Sequence, residues 1–178
     1  MDLIFLVDED FVNYKKPAMF LGFPHCTCKC DKEYGKVICQ NNPLLNSPTI
    51  FLSKEALCER YLANPITSSV VIGGLEPFED TIDLISFIDC LRNKYKCNDP
   101  VVIYTGYTEE ELIEGWRDGR TSPDIFASLW QSLTSYKNII VKFGRYIPDM
   151  DSVYDKVLGV TLASSNQYAK EYNFEESH

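Results

Sequence analysis

The sequence predicts an α/β fold built on a mostly parallel sheet. Short apolar runs of strand length recur along the chain, each ends in a glycine or polar turn, and helix-length amphipathic segments separate them. Strands that read apolar throughout are buried on both faces, which is the habit of parallel sheets made from repeated β-α units.

In chain order, residues 3–7 (LIFLV) and 18–23 (AMFLGF) are the first two strands, and the second runs straight into a cysteine-rich loop. Ser53 caps a helix that continues to about Ala63 and stops before the Asn64-Pro65 breaker. Residues 66–74 (ITSSVVIGG) form a buried strand, because Val70, Val71 and Ile72 are consecutive and β-branched, and they end in a glycine turn. From about residue 80 to 95, Leu84, Ile88, Leu91 and Tyr95 fall on one helical stripe. Residues 101–107 (VVIYTGY) repeat the strand pattern, and Thr108 with Glu111 makes a capping box for the next helix. A stretch broken by glycine and proline, 115–123, and a short helix lead to NIIVKFG at 138–144. KVLGVTLASSNQ, 156–167, supplies the last strand before a polar tail. Trp116 and Trp130 read as core, and 115–135 is a candidate partner-facing surface.

A chain of 178 residues suits one domain, 1–178, and its 45% hydrophobic and 13% aromatic content is enough to bury a core. Seventeen basic side chains against 26 acidic ones leave a net charge of −9, which argues against general nucleic-acid binding and against anionic membranes. The N-terminal MDLIFLVDEDF carries acids where a secretory signal is basic, and no apolar run approaches the roughly 20 residues of a membrane span. The expectation is a cytoplasmic protein. In a reducing compartment its seven cysteines are not a disulfide framework, and a cluster of them points to metal or catalysis.

Four of the seven lie in FPHCTCKCDKEYGKVICQN, 23–41. Thiolates suit zinc or iron-sulfur clusters, since both prefer sulfur. Four thiolates close a site, whereas three leave one position open for substrate. Cys26, Cys28 and Cys30, spaced by single residues, do not close readily on one zinc. Cys26 and Cys30 with Cys39 are the more workable trio, and zinc remains open on spacing alone. Cys58, Cys90 and Cys97 read as small buried apolar residues. Ligands of parallel sheets bind beyond the carboxyl ends of the strands. Those ends read as the cysteine loop, Gly73-Gly74, Thr105-Gly106-Tyr107, Gly144-Arg145 and Ser164 to Gln167.

Cys26-x3-Cys30, Cys39-Gln40-Asn41, GGLEPF, YTGY, KFGRYIP and ASSNQ, in this order, resemble the activating protein of anaerobic ribonucleotide reductase over about residues 10–168. That family is a compact branch of the radical S-adenosylmethionine (SAM) superfamily. The resemblance implies a compact partial (β/α) barrel and a 4Fe-4S cluster held by Cys26, Cys30 and Cys39, with the amino and carboxylate groups of SAM on the fourth iron. It implies that Gly73 and Gly74 let backbone approach the methionine moiety and that Glu76 partners its ammonium. Thr105, Gly106 and Tyr107 would lie near the ribose or methionine, Arg145 would meet a carboxylate, and Ser165, Asn166 and Gln167 would read the adenine edge. The implied activity is reductive cleavage of SAM to a 5'-deoxyadenosyl radical that takes hydrogen from a backbone glycine. The implied partners are a glycyl-radical enzyme such as anaerobic ribonucleotide reductase and an electron donor such as flavodoxin.

This chain departs from that pattern in three places. Eight residues separate Cys30 from Cys39, where the family has two. Doubling a flexible loop costs only about 0.6 kcal/mol, so three ligands still converge, while Cys28 stays open as a replacement or fourth ligand. Leu75 stands between Gly74 and Glu76, and Phe143-Gly144-Arg145 stands where the family carries an acid followed by Gly-Lys. His25, beside Cys26, is a candidate hydrogen-bond donor to a cluster. A different class of function fits the same scaffold: a non-catalytic acidic binding protein, such as a phage-encoded inhibitor that mimics nucleic acid toward a host nuclease. A SAM-free zinc or iron-sulfur protein using all four loop cysteines is a third.

Overall fold

A computed structural model describes residues 1–114 and 123–173. The chain opens with β1 (Asp2–Leu3) and β2 (Phe5–Asp10), turns into β3 (Ala18–Phe23), and enters the cysteine loop, which contains α1 (Lys29–Tyr34). β4 (Ile50–Phe51) pairs back onto β1. Then come α2 (Lys54–Ala63), β5 (Val70–Gly74), α3 (Thr81–Asp89), β6 (Val101–Tyr104), α4 (Glu109–Glu114), α5 (Pro123–Thr134) and β7 (Ile139–Phe143). β8 (Val153–Asp155), β9 (Val160–Leu162) and β10 (Tyr168–Tyr172) complete the described elements.

Six strands form one sheet in the order β10-β7-β6-β5-β3-β2. β3, β5, β6 and β7 are parallel neighbours, and β2 and β10 flank them antiparallel. The α/β class and the mostly parallel sheet are therefore as expected. Among the described residues the sheet does not close, because β2 and β10 are its two edges. No described helix is long and apolar enough to cross a membrane.

The continuous apolar strands follow from covering both faces. Val70, Ile72, Val101, Ile103, Ile139 and Val141 join Leu57 of α2, Leu84 and Ile88 of α3, and Leu133 of α5 in the main core. The alternate positions Val71, Val102 and Ile140 point to the other face, where Tyr14, Leu158 and Leu162 cover them. Each such Val or Ile contributes roughly 1.5–3 kcal/mol by leaving water. Trp130 packs into the main core, its ring edge-on to Phe143 and Tyr172. Trp116, with the rest of 115–122, lies outside the described residues.

Local signals set the helix boundaries. Ser53 Oγ accepts the Ala56 N–H at 3.1 Å, capping α2. The Thr108 N–H donates to Glu111 Oε2 (2.9 Å) and the Glu111 N–H to Thr108 Oγ1 (3.3 Å), the reciprocal pair of a capping box. Leu84, Ile88 and Leu91 are buried along the expected stripe, and Tyr95 is partly exposed at its end with its hydroxyl on Glu59.

Two strand expectations are corrected. The first strand breaks at Ile4 and then runs on through the polar Asp8-Glu9-Asp10 as an edge. The run 156–167 is not the last strand of the sheet: β9 pairs with β8 in a separate hairpin, and Tyr168–Tyr172 pairs with β7. The physical reason is coverage. Apolar Leu158 and Leu162 are needed over the second face, whereas an edge strand tolerates the polar alternation of YAKEY.

Gly74 ends β5 at φ +89, and a Cβ there would stand 2.8 Å from the Phe23 nitrogen and 2.9 Å from the Gly22 Cα. Both the dihedral and the clash with backbone require glycine. Gly74→Ala is expected to cost about 1–3 kcal/mol or more. The measurement is the thermal midpoint, which moves about 2–4 °C per kcal/mol in a chain of this size; an unchanged midpoint contradicts the strain.

Candidate functional site

A cavity of about 440 Å³ opens at the carboxyl ends of the parallel strands. That volume falls inside the roughly 300–1,000 Å³ of small-molecule sites. It lies on the sheet face that carries Phe20, Gly73, Tyr104 and Lys142, and residues 160–163 form part of its wall. Glycine at 73 keeps that floor low, since a Cβ would meet the Phe20 ring at 3.1 Å.

Cys26, Cys30 and Cys39 all line this cavity. Cys28 does not; it is the left-handed residue (φ 55) that starts α1, with its thiol toward the Cys26 carbonyl (3.8 Å) and its N–H on Cys26 Sγ (3.3 Å). The eight intervening residues are folded back by Asp31. Its carboxylate accepts the N–H groups of Ile38 (2.8 Å) and Cys39 (2.9 Å) and the side-chain amide of Asn42. Those bonds hold its carboxyl below the usual range, the Ile38 N–H foremost. Asp31→Ala is expected to speed hydrogen exchange at the Ile38 and Cys39 amides by roughly tenfold to a hundredfold, since each loses a charge-assisted acceptor. Unchanged exchange at both amides removes Asp31 as the latch.

The loop is also tied to the glycine turn. The Glu76 N–H donates to the His25 carbonyl (2.8 Å), Leu75 N–H to the Phe23 carbonyl (3.1 Å), and Asn41 Nδ2 to the Gly74 carbonyl (2.8 Å). Glu79 Oε1 takes the N–H and hydroxyl of Thr27 (2.9 and 2.6 Å) and the Tyr107 hydroxyl (3.1 Å). The His25 ring pairs with Asp80 at 2.7 Å and does not line the cavity.

Glu76 is buried and lines the cavity despite the inserted Leu75. Its carboxylate accepts the Thr105 hydroxyl (2.8 Å), the Gly106 N–H (2.9 Å) and the Phe78 N–H (3.2 Å). Burial pushes its pKa up to about 7 against the pull of those three donors. Gly106 stands at a junction, since a Cβ there would lie 3.5 Å from Arg145 Cγ, 3.6 Å from Glu76 Oε2 and 3.8 Å from Cys30 Sγ. Tyr107 sits behind the main cavity, under the Arg145 guanidinium, whose carbon is 5.7 Å from the ring centroid. Arg145 lines the cavity but is already held by Glu111 (2.9 and 3.0 Å) and Glu33 (3.2 Å). Lys29 also pairs with Glu111.

The thiols differ in their surroundings. Burial pushes Cys26 up to about 12. A hydrogen bond between Cys30 and Cys39 splits that pair, pushing Cys30 up and holding Cys39 below an ordinary thiol. Among the described residues no group of three or more His, Cys, Asp or Glu side chains is arranged around a single metal ion.

The late SSNQ segment is the turn just before β10, beside Gly144. Ser165 is exposed, and neither it nor Asn166 lines the cavity. Asn166 Nδ2 donates to the Arg145 carbonyl (2.8 Å), while its buried Oδ1 meets no donor among the described residues. Gln167 lines the cavity, but its amide donates to the Gly144 carbonyl (3.2 Å) and accepts the Ser164 N–H (3.2 Å). Sequence reasoning named Gly73, Gly74, Glu76, Thr105, Gly106 and Arg145, all of which line the cavity. It missed Asp31, Tyr104 and Lys142. A lone lysine inside the apolar strand IIVKF was the signal for the last.

No family model matches the chain, and no curated protein or solved structure matches it either.

Proposed function

We propose that the chain is a radical SAM activase, which holds a 4Fe-4S cluster on Cys26, Cys30 and Cys39 and generates a glycyl radical on a partner such as anaerobic ribonucleotide reductase. The observation that carries this reading is the trio itself: three thiols border one cavity at the carboxyl ends of the parallel strands, and Cys28 stands outside it. The donor chemistry fits a cluster, because thiolates suit iron-sulfur centres and each cysteine of such a site binds a separate iron, so the sulfurs need not converge on one point. When bound, the cluster supplies the single electron, received from a donor such as flavodoxin, that cleaves SAM to methionine and a 5'-deoxyadenosyl radical able to take hydrogen from a partner's glycine.

The chain's own residues bind, orient and exclude water. Glu76, desolvated beside the cysteines, offers its remaining acceptor positions to an ammonium. Gly73 and Gly106 let a ligand approach backbone closely. Phe5, Phe20 and Tyr104 give the cavity apolar walls, which keep a reactive species from water. Val12 and Asn13 of the β2–β3 turn and residues 160–163 also line the cavity, and on this reading a partner's loop reaches it from outside.

The test is anaerobic reconstitution with iron and sulfide, then dithionite and SAM, with 5'-deoxyadenosine measured. The expected result is its release by the wild type and its loss on Cys26→Ala, Cys30→Ala or Cys39→Ala. A colourless protein that takes up no iron, or one that binds a nuclease tightly without iron, overturns the activase.

A further inference from the structure

The helix that carries Cys30 has little of its own to hold it in place. α1 is six residues long, buries none of them, and starts from Cys28 without a side-chain cap. An isolated helix shorter than about 12–15 residues is marginal in water, so ties to the rest of the fold must set its position.

Four side chains supply such ties as a closed circuit of alternating charge. Lys29 of α1 pairs with Glu111 at the start of α4. Glu111 also accepts Arg145 Nη2 at 2.9 and 3.0 Å, Arg145 Nε reaches back to Glu33 of α1 at 3.2 Å, and Glu33 lies 3.5 Å from Lys29. Every charge in the circuit thus has an opposite charge on either side. The side chains of Lys29, Glu111 and Arg145 are only 18%, 24% and 13% exposed, and charges partly withdrawn from solvent are screened less than an isolated surface pair. Both cations also lie over the Tyr107 ring, Lys29 Nζ at 5.9 Å and the Arg145 guanidinium carbon at 5.7 Å from its centroid.

Glu111 is the fixed point of the circuit, because the capping box with Thr108 holds it at the head of α4. The circuit also abuts the thiol: a Cβ on Gly106 would stand 3.5 Å from Arg145 Cγ and 3.8 Å from Cys30 Sγ.

We propose that Glu111 is a positioning residue, which clamps α1 to α4 and to the segment after β7 and so holds the Cys30 thiol on the cavity wall. The role of Cys30 as an iron ligand rests on the activase reading above, whereas the clamp is a property of the metal-free chain.

The experiment is hydrogen exchange on the metal-free protein at the amides of Lys32 and Gly35, which donate to the Cys28 and Asp31 carbonyls along α1. Glu111→Gln keeps an oxygen for the Thr108 N–H and removes the charge. It is expected to speed both amides by roughly tenfold to a hundredfold, the range of hydrogen bonds to charged groups, and to leave the Leu57 amide of α2 unchanged. Glu111→Asp, which restores the charge on a shorter stem, should recover part of the protection. Thr108→Ala breaks the cap but keeps the circuit, and should leave Lys32 and Gly35 at wild-type rates. If the Gln variant does not fold, Glu33→Gln opens the circuit at its most exposed corner and should act in the same direction. After anaerobic reconstitution, the Gln variant should also give up iron to a chelator about tenfold faster than wild type. Wild-type exchange in the Gln variant, or an equal effect of Thr108→Ala, overturns the clamp and leaves the activase reading standing. Faster exchange with wild-type iron retention overturns the positioning of Cys30. Faster exchange in a chain whose wild type takes up no iron keeps the clamp and overturns the activase.

Discussion

Cys39→Ala is expected to lower iron and sulfide per chain at least about tenfold after anaerobic reconstitution, as are Cys26→Ala and Cys30→Ala, while Cys28→Ala keeps wild-type loading. The asymmetry follows from the cavity wall. Cys26, Cys30 and Cys39 border it, whereas Cys28 adopts a left-handed backbone (φ 55) at the start of α1 and faces the loop's own carbonyl. In the proposed cluster, losing one of three anchors would leave an iron without its thiolate, and a soft metal centre does not accept backbone oxygen in its place. Iron and sulfide assays, with the spin signal of the reduced protein, check it. Equal loss in Cys28→Ala would mean that the loop closes on four sulfurs, leaving no position for SAM.

Glu76 should impose an inverse pH dependence on the stability of the cluster-free protein. Its folded pKa is raised to about 7 from the ordinary glutamate value of 4.5, chiefly by burial. Between those values the folded state holds more protons than the unfolded state, so this group's contribution is fully present below about pH 4.5 and is lost as pH rises through about 7. A shift of that size corresponds to about 3 kcal/mol. Urea unfolding of wild type and Glu76→Gln at pH 5 and pH 8 isolates it. The difference in stability, wild type minus variant, should fall by about that amount toward pH 8, because glutamine does not titrate. A constant difference across the range would show that the carboxylate is solvated or already neutralised. SAM binding should be weakened in the same variant at either pH, since a carboxamide offers an ammonium less than a carboxylate does.

Much of the fold was readable because its signals are local. The Ser53 cap, the Thr108–Glu111 box, the stripe of Leu84, Ile88 and Leu91, and the runs VVIGG and VVIY each state their conformation within a few residues. β10 was not readable, since the polar YAKEY becomes a strand only through pairing with β7. The placement of SSNQ went with it. Because 156–167 does not end as a strand of the main sheet, Ser165 and Asn166 do not line the cavity, and Gln167 alone of the three does.

The sequence by itself determined the α/β class, the ends of the four parallel strands, and the thiol-rich loop beside a glycine turn, because hydrophobic period, β-branching and capping chemistry act over a turn or a strand. Only the tertiary structure decided which thiols share a cavity, that Asp31 folds the long spacer back to deliver Cys39, and that Lys142 and Glu76 are both buried on the wall of that cavity. Those outcomes depend on which face of the sheet is covered, and on groups brought together from β5, β6, β7 and the loop after β3. Burial and charge compensation are properties of that assembly, and no window of the chain contains them.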